Sequence, residues 1–423
     1  MTAHTLFEKA LAVGRPPTIK KLFPHSRALL VSGKVIDQAL RRKGKAMTMA
    51  ANGRNYLVIK GALQAAQRAN AALIIEIAKS ESTYCPVNFW NIARMVDAAC
   101  NEMNITIPVA VHADHYGLKS PGDVAAAKIE IPTLFDAGIT SIAIDASHMP
   151  DDLNLLANIE LNPFIPSWSG LETEVGEIKG AEGLSTVEDA GFLIKGLNAH
   201  SIFPNWIALN NGSAHGIEAS GEGIQVELTA RIHEHLKPYH VAGAQHGTSG
   251  NSSERLRAIA SRTNTTKANV ATALQMVSWG VEVNDYGNAQ MNEDGSFRKV
   301  ADAGVTAEVW EKMVALAGKN GWKGGNFKKL NLPIDNWLMS QPREIRERMS
   351  KRVEDFVYQM LVSVFNAGDT APLAMEVLAE AGSYDIGTTA ERLEDPAEWT
   401  SEKIVEKAKS LVTDKGPHGD FDD

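Results

Sequence analysis

Cysteine is scarce: Cys85 and Cys100 are the only two in 423 residues, and they form no CxxC pair. That argues against a disulfide framework or a thiolate zinc site and fits a reducing, cytoplasmic setting. Long apolar runs are missing too. No window is long enough to span a bilayer, and the opening "MTAHTLFEKALAVGRPPTIKKLF" lacks the apolar core of a secretory signal, so no membrane association is expected. Nor is there an excess of positive charge. Lys and Arg number 42 against 51 Asp and Glu, interspersed, for a net charge of −9, which makes nucleic acid an unfavourable partner. What is present is ordinary globular material: 44% hydrophobic and 22% charged residues, enough for a sizeable core.

Short apolar, β-branched runs recur along the chain, each followed by turn residues and then a helical pattern. They read "AMTMA" at 46–50, "ALIIEIA" at 72–78, "IPVAVHA" at 107–113, "SIAIDA" at 141–146, "LETEV" at 171–175, "NWIALN" at 205–210, "HVAGAQ" at 240–245 and "GVEVN" at 280–284. Between them lie amphipathic stretches such as "NYLVIKGALQAAQRAN" and "STVEDAGFLIKGLNAH". A repeat of roughly 26 to 40 residues is what one strand, one helix and two loops require. The expected fold is a (β/α)8 TIM barrel over 46–370, with an N-terminal extension over 1–45 and a C-terminal helical tail with a frayed end over 371–423; a doubly wound open sheet is the alternative.

Barrels of this kind carry their chemistry at the C-terminal ends of the strands. Polar residues gather there. The third run ends in His112-Ala113-Asp114-His115, and the fourth leads into Asp145, Ser147 and His148. Glu172 and Glu174 alternate onto one face of the fifth. His215 comes after the sixth, His246 after the seventh, and Asn284 ends the eighth. His115, His215 and His246 come from three strand ends, and three converging imidazoles make an open-sided site for a divalent metal, most naturally zinc. His148, His233, His235 and His240 read as structural or solvent-facing. The stretches "HGIEASG" and "HGTSGN" offer glycines and Ser249 that could cradle an oxyanion.

In this order, "VHADH", "IDAS", "ETEVG" with a downstream "GAEG", "GSAHG", "HGTSG" and "VEVN" resemble the class II, metal-dependent fructose-bisphosphate and related ketose-bisphosphate aldolases, over roughly residues 46 to 290. The resemblance implies a lyase that cleaves a phosphorylated ketose, fructose 1,6-bisphosphate or a related sugar phosphate, to dihydroxyacetone phosphate and an aldehyde. It implies His115, His215 and His246 as zinc ligands, with another divalent cation as an alternative, and Asp145 and Glu174 at a second or alternative metal position. Asp114 would handle the proton on the C4 hydroxyl, Glu182 the proton at C3, and Asn284 would hydrogen-bond the enediolate. Gly216, Gly247 and Ser249 would hold the C1 phosphate. After the strand asparagine the family continues with an aspartate and then Thr or Ser; "NDYGN" places Tyr286 and Gly287 about there.

The resemblance also implies a homodimer or homotetramer and a role in glycolysis or related carbohydrate metabolism. A non-catalytic aldolase-like subunit that stabilises a partner aldolase is the competing function, and retention of all three histidines counts against it. A metal-dependent hydrolase on a barrel is a third, but neither an H-x-H pair on one strand nor a catalytic carboxylate on a late strand is evident.

Overall fold

The computed structural model describes residues 3–176, 183–212, 223–284 and 287–411. The strands are β1 (Thr48–Asn52), β2 (Leu73–Ala78), β3 (Val109–Gly117), β4 (Ser141–Asp145), β5 (Gly170–Val175), β6 (Trp206–Leu209), β7 (Ala242–Gln245) and β8 (Thr265–Val270). Each pairs in parallel with the next, and β8 pairs with β1, so the sheet closes into a barrel. Helices lie between successive strands, which makes this a TIM barrel with extra helices at the C-terminus. No helix among the described residues is long and apolar enough to cross a membrane.

Seven of the expected strands are found near their sequence positions, the largest difference being β3, expected over 107–113 and found at Val109–Gly117. The eighth is not. "GVEVN" at 280–284 lies off the barrel, where Val281 and Val283 make antiparallel bridges to Lys299 and Ala289. Its alternating valines serve a second core instead, in which Val281 joins Trp279, Phe297, Phe327 and Met349. The strand that closes the barrel is "TTKANV". It escapes an apolar-run search because its inward positions, Lys267 and Asn269, are polar; Lys267 reaches across the barrel to Glu172 on β5.

The floor of the barrel is sealed by the helix Gly33–Lys43. Ser32 caps it by accepting the Lys34 N–H, and its hydroxyl donates to the Trp168 carbonyl at 2.6 Å. Gly33 lies so close to the sheet that a Cβ there would sit 2.5 Å from Ser141 Oγ, which leaves room for no larger residue without a shift. Asp37 accepts from Thr266 of β8 at 2.7 Å and pairs with Arg41 at 2.7 Å. The helix Thr370–Ala381 packs beside it and the helix Ala3–Gly14 packs on Thr370–Ala381, so helices from both ends of the chain meet at this end of the barrel.

His233, on the helix Val226–Leu236, is structural and buried. Its Nδ1 accepts the Asn264 N–H at 3.1 Å, so the ring is neutral there. Burial, with a smaller push from Arg41, lowers its pKa to about 4. A pKa below the unfolded value of about 6.5 means that the unfolded chain binds the extra proton, so this contribution is present above pH 6.5 and is lost as pH falls towards 4. Between pH 7.5 and 4.5 wild type is expected to lose about 2–3 kcal/mol more stability than a His233→Gln variant. Urea unfolding at the two pH values measures it; parallel losses in both chains would refute it.

Candidate active site

β3 explains why two neighbouring residues can both serve one cleft. Along a regular strand Asp114 and His115 would point to opposite faces. The register with β4 shifts between Ala113 and Tyr116, and His115 takes a left-handed φ of 42°. Such a bulge re-aims a side chain at a modest local cost. Asp114 and His115 therefore both line one cleft, together with Gly247, Ser249 and Asn269.

Around His115 the carboxylates are close. Its Nδ1 lies 3.3 Å from Asp145 Oδ2 and 3.1 Å from Glu174 Oε1. The His115 and His246 rings meet edge to face, their centroids 4.4 Å apart. His246 Nε2 is 2.9 Å from Glu172 Oε1, and its Nδ1 is 3.9 Å from Glu174 Oε2. Among the described residues four donor sets emerge that could hold a cation, and two of them contain His115: Asp114, His115 and His246, and His115, Asp145 and Glu174. The fit is supported by the buried His246 Nδ1, which lacks a hydrogen bond, since such an atom is costly to leave unsatisfied.

Electrostatics separate the carboxylates. Burial and the adjacent Asp145 push Glu174 up to about 7. Burial opposes ionisation of Asp145 as well, but hydrogen bonding to His115 and the Ser147 hydroxyl holds it below the usual range. Asp114 is also held low: burial raises it, and His115 and Lys267 more than offset that. Asn269 Nδ2 donates to Asp114 Oδ1 at 3.0 Å. Deeper in the barrel, Lys267 Nζ sits 2.8 Å from Glu172, 3.2 Å from Glu76 and 3.5 Å from Asp114.

Of the residues expected from sequence, His115, His246, Asp114, Asp145, Glu174, Gly247 and Ser249 are brought together. His215, Gly216 and Glu182 lie outside the described residues. Asn284 is a correction. It sits in the turn after Val283, lines a different cavity beside Arg257 and Phe356, and is no strand-end residue. The asparagine near the end of the eighth strand is Asn269; the chain then runs through Val270 to Ala271 and Thr272, both on the cleft wall. The residues that follow the strand asparagine are therefore Val270, Ala271 and Thr272 in place of the expected Tyr286 and Gly287, of which Tyr286 lies outside the described residues. Sequence reasoning also passed over Lys267, Glu76 and the buried Arg54–Glu81 ion pair at the rim. One signal was available: Glu76 is the lone acid inside the apolar run "LIIEIA".

A model of the fructose-bisphosphate aldolase class-II family matches residues 33–321. The chain belongs to that family. A fructose-bisphosphate aldolase of Streptococcus pneumoniae is 29% identical over 258 residues, which cover 58% of this chain and 80% of that protein. One from Staphylococcus aureus is 30% identical over 132 residues, but the match spans only 43% of that relative's length and 31% of this chain. The crystal structure of fructose-bisphosphate aldolase from Campylobacter jejuni superposes with a TM-score of 0.54 at 16% identity, covering 81% of this chain and 97% of that one. At that identity the likeness speaks to the fold alone.

Proposed function

We propose that this member of the family is a metal-dependent lyase that reversibly breaks the C3–C4 bond of a phosphorylated ketose, yielding dihydroxyacetone phosphate or a close analogue and an aldehyde. The observation that carries the reading is the bulge in β3, which sets a carboxylate, Asp114, beside an imidazole, His115, in one cleft, with the His246 ring packed against His115. His115 and His246, with His215 as the third expected ligand, would hold the cation, and Asp145 and Glu174 offer it an alternative position. A divalent ion of the zinc type, when bound, supplies Lewis acidity for the negative charge that develops at C3.

The chain's own groups do the rest. Asp114, kept ionised by its neighbours, takes the C4 hydroxyl proton during cleavage and returns it during condensation. Asn269, bonded to Asp114, holds that carboxylate in place and presents an amide to the substrate oxygens, the part that the family resemblance assigns to Asn284. Glu182 is proposed to exchange the proton at C3. Gly247, with φ of 58°, and Ser249 form a turn able to receive the C1 phosphate, with Gly216 expected beside them. The setting is proposed to be cytoplasmic and the assembly a homodimer or homotetramer.

The test is condensation of dihydroxyacetone phosphate with a panel of aldehydes, before and after chelation. Activity should vanish with the metal and return on adding zinc. Condensation that survives full removal of metal, or its absence with every aldehyde in the metal-loaded protein, would sink the reading.

A further inference from the structure

Glu172 has no part in the proton transfers above, and Lys267 enters them only through its charge on Asp114, yet both are fully buried in the barrel. Glu172 has a partner near each oxygen, a hydrogen bond at Oε1 and charge contacts at Oε2. Oε2 lies 2.8 Å from Lys267 Nζ and 3.4 Å from His112 Nε2; Oε1 lies 2.9 Å from His246 Nε2. A carboxylate paired with a buried ammonium is ionised and can only accept. His246 must therefore donate from Nε2. A neutral ring that carries its proton on Nε2 has its lone pair on Nδ1, and Nδ1 is the atom without a hydrogen bond, 3.9 Å from Glu174 and on a ring packed against His115.

We infer that Glu172, anchored by Lys267, is a positioning residue that locks His246 in the Nε2–H form and turns Nδ1 toward the cation position shared with His115. The inference rests on the reading of His246 as a metal ligand. Neither Glu172 nor Lys267 touches the reacting atoms. Glu172 acts through the histidine, as carboxylates behind metal-bound imidazoles do, and losing such a partner typically weakens metal binding about 10- to 100-fold. Lys267 also decides how the site responds to a neutral replacement. In a Glu172→Gln chain the ammonium claims the amide oxygen, leaving the amide NH2 to face His246 Nε2 and drive the proton to Nδ1, where it blocks the metal.

The experiment uses the full-length chain stripped of metal. Zinc affinity is measured by competition with a chromophoric chelator, and histidine-labelled 15N NMR reports which ring nitrogen of His246 is protonated. Wild type should show Nε2–H, and Glu172→Gln should bind zinc about 10- to 100-fold more weakly and show Nδ1–H. A folded Glu172→Gln protein with unchanged zinc affinity overturns the inference while leaving the ligand role of His246 intact. A wild-type chain that binds no zinc overturns both. If the variant does not fold, the wild-type spectrum decides alone: an Nδ1–H signal refutes the inference and an Nε2–H signal supports it.

Discussion

Replacing Asp114 by asparagine is expected to lower kcat/KM for ketose cleavage by about 10²- to 10⁴-fold while leaving the bound metal in place. The amide keeps the volume of the side chain and can still accept from Asn269, so the wall of the cleft should hold its shape. What it loses is the ability to take up and return a proton. The charge balance makes this specific to Asp114. Burial alone would favour its neutral acid, but His115 and Lys267 keep it ionised and ready to act as a base. Its other candidate role is to orient His115, whose Nε2 lies 3.9 Å away. The two roles separate in one measurement, because a positioning role would cost zinc affinity along with rate. Full activity in Asp114→Asn would reassign the proton transfer to another group.

The barrel was legible because its strands are buried on both faces and most read as short apolar runs. β8 was hidden by the same property that makes the barrel a chemical vessel. Its inward positions face other charges, so Lys267 and Asn269 break the pattern that marks the remaining strands. The alternating valines near 281 imitated a strand because they form a small ladder and feed a separate core. Site residues were legible where they cluster in sequence, as in His112-Ala113-Asp114-His115. Partners that meet only in three dimensions were not: nothing in the sequence joins Lys267 to Glu172, or Arg54 to Glu81, until the barrel closes. The bulge at Asp114 and His115 left no apolar signature either, since it is a shift in pairing rather than in composition.

That bulge leads to the second large effect. Removal of the His115 ring, or of the His246 ring, is expected to strip the cation and lower kcat/KM by about 10³- to 10⁵-fold, the equivalent of several kcal/mol of lost charge stabilisation. For His115 the backbone adds a second readout. With φ at 42° it occupies a region that costs a residue bearing a Cβ on the order of 1 kcal/mol or more, and that glycine enters freely. His115→Ala and His115→Gly lose the same ring, so neither should hold metal, yet the glycine chain should be about 1 kcal/mol more stable than the alanine chain. Metal content, kcat/KM and urea unfolding of the pair separate the two consequences. Equal stability would mean that the strand relaxes once the ring is gone, so that the left-handed turn is imposed by the contacts of His115 with Asp145 and Glu174. A more stable glycine chain would mean that β3 keeps its bulge without them. The geometry that points Asp114 and His115 into one cleft would then belong to the barrel itself and be in place before any cation arrives.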